Sequence, residues 1–164
     1  MVGGKREIFK KVQPLLESVS ERVFYMGDLG SGMMVKVINN LISHVNMVTI
    51  CEAMAVGAKA GISPASLYEV IRSSSGDSWV LRDRMESRIL RRDFEGGMKV
   101  ELVYKDSELA LELGRRFGIP LYVTSVAHAV YEHAKAKGLG EKDFSSIIML
   151  WEEIVGKEIK ESDV

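Results

Sequence analysis

Apolar residues recur at helical spacing over most of the chain, and the longest such stretch runs from about residue 30 to residue 61. Between residues 33 and 60 there is no proline and a single glycine, Gly57, so little in this stretch would break a helix. At 1.5 Å per residue, such a helix would be roughly 45 Å long. We therefore predict one long central helix.

Helix start and stop signals divide the rest of the chain. Ser63-Pro64, Asp77, and either Asp143 or Ser145 have the residue types that cap or open a helix. Glycines and a proline mark the ends of the intervening segments. Together with the long helix, these signals predict about six helices, the shorter ones over approximately 64–73, 77–91, 97–118, 120–138 and 143 onward.

The first residues have a different character. Residues 7–19 show helical spacing around Pro14, which should bend this helix or shift its start. Residues 22–26 read as a short strand, and a lone strand is not stable by itself. We therefore predict that residues 1–28 are the remnant of a sheet domain and that residues 29–164 form a mainly α, all-helical domain around the long helix.

Composition narrows the function. The net charge of −1 lacks the basic excess of a nucleic-acid binder, and Arg82–Arg92 reads as a solvated helix face, with an anion site as the less favoured alternative. The single cysteine, Cys51, fits the core of a protein in a reducing compartment. No run reaches the roughly 20 apolar residues of a membrane span, and the three histidines lack partners at metal-ligand spacing. We expect a cytoplasmic protein without nucleic acid, membrane or metal.

The long helix aligns polar residues on one face, namely Lys36, Asn39, Asn40, Ser43 and His44. One alternative is a solvated surface. However, asparagine is a weak helix former, so two in succession favour ligand binding. Gly30 and Gly32 would let another backbone or a ligand approach the positive end of the helix, so Gly32 is predicted to lie beside the substrate. We expect the amine of Lys36 to be half-buried and to exchange a proton with a substrate hydroxyl held by Asn40.

Five segments resemble the β-hydroxyacid dehydrogenases, a family that includes 3-hydroxyisobutyrate dehydrogenase, tartronate semialdehyde reductase and 6-phosphogluconate dehydrogenase. They occur in the order found in that family and extend over nearly the whole chain, with the closest similarity to the 3-hydroxyisobutyrate and tartronate semialdehyde group. The segments are GDLGSGMMVKVINN (27–40), CEAMAVGAKAGI (51–62), SSSGDSW (73–79), YKDSELALELGRRFGIP (104–120) and GLGEKDFSSII (138–148).

The resemblance implies that NAD or NADP takes a hydride from the carbon bearing a 3-hydroxyl. Lys36 would be the general acid and base, Asn40 would orient the substrate, and Lys105 with Asp106 would meet the cofactor. It also implies a 6-phosphogluconate-dehydrogenase-C-terminal-like fold, with residues 1–28 as the end of a Rossmann-type N-terminal domain that binds most of the cofactor. On this basis we expect the isolated chain to be inactive. Met98 departs from the family, which usually has an aromatic residue at this position.

A second function class stays open. Apolar residues in the long helix and in the later helices could bury surface between copies of the chain, as members of the family do in homodimers or tetramers. The chain would then be a non-catalytic helical module for self-association. This alternative gives no role to the face that carries Lys36 and Asn40.

Overall fold

A computed structural model describes residues 1–161, which fold mainly into helices. The chain divides into two units, Met1–Leu41 and Ile42–Val164. The last three positions of the predicted domain 29–164 lie outside the described residues. The helices are α1 (Arg6–Ser18), α2 (Ser31–Lys59), α3 (Pro64–Arg72), α4 (Trp79–Arg84), a π-helix (Met85–Ile89), α5 (Val100–Phe117), α6 (Tyr122–Ala136), a 3-10 helix (Phe144–Ile147) and α7 (Ile148–Val155).

The expected leader strand is wrong. In the described part of the chain, residues 22–26 contribute only an isolated parallel bridge between Val2 and Tyr25. Its backbone bonds run from Val2 N–H to Phe24 O and from Met26 N–H to Val2 O, both 2.8 Å. β-Branched and aromatic residues predict an extended backbone, but a strand also needs a longer ladder than this short pairing provides.

Two glycines allow backbone segments of the first unit to pack closely against each other. A Cβ on Gly32 would lie 2.9 Å from the carbonyl oxygen of Met1, and a Cβ on Gly3 would lie 2.5 Å from that of Asp28. Only residues without a side chain allow this approach of backbone to backbone. Pro14 lies inside α1, which nevertheless continues from Arg6 to Ser18, so the proline does not shift its start.

In the second unit, α2 supplies the centre of the core. Met47, Cys51, Met54 and Ala58 are buried at helical spacing, as the long apolar period predicts. They belong to the same hydrophobic cluster as buried residues of the later helices, among them Leu81, Met85, Ile89, Val103, Tyr131 and Ile147. Burial raises the pKa of the Cys51 thiol well above its usual value. The interpretation of Cys51 as a core residue is therefore confirmed.

By length and composition alone, α2 could also cross a membrane, contrary to the expectation above. However, 44% of its most apolar window is buried within the structure. One such helix is weak evidence for a membrane span, because the core helix of a soluble protein meets the same criterion.

The segment Arg82–Arg92 is only in part the solvated face expected from the sequence, since Arg82 and Arg91 are exposed. Arg84, Arg88 and Arg92 are only partly exposed, because each guanidinium is held by the protein itself. Arg92 contacts Glu152 at 2.6 Å, and Arg88 donates 2.8 Å to the carbonyl oxygen of Glu95. Sequence spacing places these arginines near one another, but it does not show which distant acceptors they reach.

The buried carboxylate of Asp143 joins the start of α5 to the 3-10 helix. Its Oδ2 accepts the backbone N–H of Met98 at 3.2 Å, and its Oδ1 accepts the N–H and the hydroxyl of Ser145 at 3.0 and 2.6 Å. Arg84 Nε lies 3.8 Å from Oδ1. Of the two caps that the sequence left open, Asp143 is therefore the one used.

We expect Asp143→Ala to lower the free energy of unfolding by about 3 kcal/mol or more, because buried donors and a nearby guanidinium lose their anionic partner. Urea unfolding monitored by circular dichroism measures this. Glu141→Gln is the matched control: it removes an exposed pair with Lys99 and should cost less than about 1 kcal/mol. Equal losses in the two variants would contradict the role assigned to Asp143.

Candidate functional site

The predicted substrate residues of the first unit lie on the opening turns of α2. A turn closed by Ser31 N–H to Asp28 O precedes the helix, and Gly30 adopts a left-handed φ of +94° there. Lys36 projects from the second turn and Asn40 follows one turn later on the same face. The amine of Lys36 and the amide of Asn40 can therefore approach one small ligand from the same side.

The expected half-burial of Lys36 is wrong: its side chain is exposed. The first turn of α2 contains no acidic residue, and no ion pair of Lys36 is found among residues 1–161. Helical position predicted the face of this side chain, but the degree of burial depends on groups outside the helix. The amine is thus available to a ligand, and any exclusion of water from it must come from what binds there.

The two asparagines differ in exposure. Asn39 is exposed, whereas Asn40 is half-buried. The amide of Asn39 donates a long hydrogen bond of 3.5 Å to Oδ1 of Asn40. Gly32 is buried against the backbone of Met1 and Gly3, so the close approach it allows is made by the chain itself. Its predicted contact with substrate stays a prediction.

In the second unit, Lys105 and Asp106 lie on α5, where Lys105 is exposed and Asp106 is half-buried. The carboxylates one turn away from Lys105 are occupied by other cations. Glu101 contacts Lys135 at 3.9 Å, and Glu108 contacts Arg115 at 2.8 Å. The ammonium of Lys105 is therefore left available to an external anion such as a phosphate group.

A bridge beside this turn was missed in the sequence. His128 of α6 lies 2.7 Å through Nδ1 from the hydroxyl of Ser107 and 3.3 Å through Nε2 from Glu108. Its ring stacks on Tyr104, with centroids 4.5 Å apart. These contacts fix the turn that carries Lys105 and Asp106 against α6. No spacing rule connects residues on two different helices, so the sequence held no signal for them.

His44 lies on the polar face of α2, and nothing in the sequence indicated its burial. It is only 3% exposed. Its ring makes edge contacts with Tyr131 and Phe144, at centroid distances of 6.1 and 5.9 Å. The position of His44 on its helix therefore does not predict its burial, because aromatic rings from α6 and the 3-10 helix cover it.

Met98 lies at the start of α5, half-buried against the hydrophobic core. Its backbone, rather than its side chain, makes the contact with Asp143 described above. Among the described residues, no group of three or more His, Cys, Asp or Glu side chains is arranged to hold a metal ion.

Comparison with known proteins identifies the family. The family model described as "NAD-binding of NADP-dependent 3-hydroxyisobutyrate dehydrogenase" matches residues 30–151. The chain belongs to the 3-hydroxyisobutyrate dehydrogenase family. The resemblance to β-hydroxyacid dehydrogenases is thus confirmed, and the NAD-binding description confirms the predicted cofactor class, NAD or NADP.

Similar proteins are dehydrogenases. The 2-(hydroxymethyl)glutarate dehydrogenase of Eubacterium barkeri is 39% identical over 156 residues, which are 95% of this chain and 52% of that protein. The NAD-dependent L-serine dehydrogenase of Pseudomonas aeruginosa is 34% identical over 163 residues, or 96% and 55%. The crystal structure of 3-hydroxyisobutyrate dehydrogenase from Salmonella typhimurium has a TM-score of 0.84 and 30% identity, and covers 90% of this chain and 52% of that one. The chain thus spans about half the length of these relatives.

The family match corrects the predicted fold class. An all-helical 6-phosphogluconate-dehydrogenase-C-terminal-like domain was expected to leave cofactor binding to another domain, yet the matching family is described as NAD-binding over residues 30–151. Within that range the described residues form helices. Helical spacing shows which residues pack together, but it does not show which ligand the packed helices hold, and this is why the prediction was wrong.

We expect acid to weaken the fold through His44. Burial lowers the pKa of His44 to about 4 from 6.5, while the Asp106 carboxylate opposes this shift. Between these two values the unfolded chain binds a proton that the folded chain excludes, so stability is lost as the pH falls from 6.5 to 4. The difference amounts to roughly 3 kcal/mol. Urea unfolding at pH 7 and pH 4.5 measures it.

His44→Leu isolates this contribution, because other groups titrate equally in both proteins. The variant should lose less stability than the unaltered chain over the same pH interval. Parallel losses in the two proteins would show that His44 does not exclude a proton on folding.

Proposed function

We propose that this chain is part of an NAD(P)-dependent oxidoreductase that interconverts a 3-hydroxy acid and the corresponding semialdehyde, with Lys36 as general acid and base. The observation that carries this proposal is the exposed Lys36 amine, one helical turn before Asn40 on α2. Family membership supports the dehydrogenase class.

The substrate class follows from the names of the relatives. 2-(Hydroxymethyl)glutarate, L-serine and 3-hydroxyisobutyrate all carry a primary hydroxyl on the carbon next to the one that bears the carboxylate. In oxidation, the amine of Lys36 accepts the proton of this hydroxyl, and in reduction the ammonium returns it. The amide of Asn40 can donate to the same oxygen or orient the amine. A bound NAD or NADP would supply the hydride acceptor for oxidation and the hydride donor for reduction.

The second unit offers residues that fit the cofactor. The ammonium of Lys105 is not neutralised by the carboxylates one turn away on α5, since Glu101 and Glu108 pair with other cations. An exposed lysine of this kind suits the phosphate or ribose oxygens of a dinucleotide. We assign Lys105 and the neighbouring Asp106 to the cofactor.

Replacing Lys36 should abolish proton transfer without harming the fold, because the side chain is exposed. Turnover is measured in a protein of the relatives' full length, with this chain replacing the matching segment of the Eubacterium barkeri enzyme. We expect Lys36→Ala to lower kcat about 10²- to 10⁴-fold. Formation of NADH or NADPH from 2-(hydroxymethyl)glutarate, followed by absorbance, provides the measurement.

Two further variants make this test specific. Lys36→Arg keeps the positive charge but cannot release its proton, so it should be nearly as inactive as Lys36→Ala. Lys10→Ala removes an exposed lysine of α1 and should keep full turnover. Normal turnover in Lys36→Ala would refute the assignment. If the chimera fails to fold, titration of the full chain with NADPH still tests the cofactor role, since Lys105→Ala should weaken binding.

A second candidate function is self-association, for which one surface provides support. We call it the α6 apolar face, and it consists of Tyr122, Val123 and Val126 of α6 together with Ile119, which precedes the helix. All four side chains are exposed. Contiguous exposed apolar surface is typical of a protein interface, so we propose that two copies of the chain pair through this face. The catalytic and the self-association proposals are compatible.

We expect Val126→Glu to shift the chain towards the monomer, because a carboxylate in an apolar interface must be desolvated. Light scattering coupled to gel filtration measures the mass. Val70→Glu is the control, since Val70 is 61% exposed on α3 and Val126 is 63% exposed on α6. The unaltered chain running as a monomer, or equal effects of both substitutions, would contradict the proposed interface.

A further inference from the structure

Two carboxylates of α5 flank Lys105, the lysine that the proposed function assigns to the cofactor. Glu101 lies four residues before it and Glu108 lies three residues after it, so each is one turn away along the helix. A glutamate four residues before a lysine is the order that favours an ion pair within a helix. Yet no ion pair of Lys105 is found among residues 1–161, and both carboxylates contact other groups. The pairing that helical spacing favours is therefore replaced by contacts from elsewhere in the fold.

The partner of Glu101 is Lys135 of α6. The ammonium of Lys135 lies 3.9 Å from Oε1 of Glu101 and 4.0 Å from the centroid of the Tyr104 ring. A cation over the face of an aromatic ring is attracted by the negative charge of that face. The Tyr104 ring in turn stacks on the imidazole of His128, with centroids 4.5 Å apart and ring planes inclined by 22°. Lys135 thus has two attractive contacts on α5, and the stacked rings determine where it lies.

Glu108 is engaged through both of its oxygens. Its Oε1 lies 2.8 Å from Nη2 of Arg115, and its Oε2 lies 3.3 Å from Nε2 of His128. Nδ1 of the same imidazole lies 2.7 Å from the hydroxyl of Ser107, so the direction of the ring is fixed at both nitrogens. Glu108 is thus held by Arg115 and by α6, and neither flanking carboxylate is left for Lys105.

We propose that Lys135 is a positioning residue, which neutralises Glu101 and thereby leaves the ammonium of Lys105 available to a phosphate group of the cofactor. This inference rests on the proposed function, because it needs Lys105 at the cofactor. It goes beyond that function by giving a role to a residue of α6 that touches neither substrate nor cofactor. Without Lys135, Glu101 would pair with Lys105, and a phosphate group would have to displace the carboxylate before it could bind.

Lys135→Met tests this role, because methionine keeps an unbranched apolar side chain but carries no charge. The affinity of the full chain for NADPH should fall about two- to fivefold, which corresponds to the strength of an exposed ion pair that now competes at Lys105. Fluorescence titration at low ionic strength measures this affinity, since salt screens such pairs. Lys137→Met is the matched control: it removes the same charge from an exposed lysine that follows α6 and pairs with Glu153, and it should bind NADPH normally.

A second substitution distinguishes positioning from damage to the fold. Adding Glu101→Gln to Lys135→Met should restore the affinity, because an amide does not neutralise the ammonium of Lys105. A damaged fold would not be repaired by this change. Glu132→Gln alters the net charge equally at an exposed site on α6, and adding it to Lys135→Met should restore nothing.

A further readout needs no cofactor. A neighbouring carboxylate favours the charged form of an amine, and the charged form does not attack an acylating reagent. Acetylation of Lys105 by a succinimidyl ester, followed by peptide mass spectrometry, should therefore be slower in Lys135→Met than in the unaltered chain. Adding Glu101→Gln should restore the rate.

Each other result has a definite meaning. Unchanged affinity or unchanged acetylation in Lys135→Met, equal losses of affinity in Lys135→Met and Lys137→Met, or no restoration by Glu101→Gln would overturn the positioning role. Normal NADPH binding by Lys105→Ala, or no binding by the unaltered chain, would instead refute the cofactor site of the proposed function. Acetylation would then still decide whether Lys135 keeps Glu101 away from Lys105.

Discussion

The carboxylate of Asp143 accepts hydrogen bonds from two segments that are far apart in sequence, and the arrangement of the second unit depends on it. It receives the backbone N–H of Met98 and both donors of Ser145 while it is completely buried. This geometry requires glycine at position 97, because a Cβ there would lie against Oδ2 of Asp143 and because the backbone adopts a φ of +72°. Because α5 begins directly after this junction, the position of Lys105 along the helix follows from it.

Much of the helical arrangement could be predicted from apolar spacing and capping residues. The long helix was expected over about 30–61 and is found as Ser31–Lys59, because its core period continues without a helix breaker. Ser63 and Pro64 open α3 as expected. The prediction of one helix over 77–91 was less accurate, because Ser78 rather than Asp77 caps α4 and a π-helix follows α4. The prediction of a strand at 22–26 was wrong because the strand propensity of one segment does not show whether a second segment is available to pair with it.

The candidate site was predictable only as far as single helices determine it. Lys36 and Asn40 share a face of α2 because they are one turn apart, but the exposure of Lys36 was misjudged. Burial of His44 and the bridge from His128 to Ser107 depend on rings and donors contributed by other helices. The arginines of the segment 82–92 show the same limit, since Arg92 reaches Glu152, sixty positions later. The helical pattern predicts the direction in which a side chain points, whereas residues of other helices determine how deeply it is buried and which groups it contacts.

The single thiol of the chain has a consequence for assembly. Cys51 is enclosed among core residues of α2, and its ionisation is suppressed by burial. Thiolates, not thiols, attack disulfides, so Cys51 offers no reactive thiolate in the folded protein. Any association between folded copies of the chain would therefore be non-covalent, because Cys51 cannot form a disulfide between them.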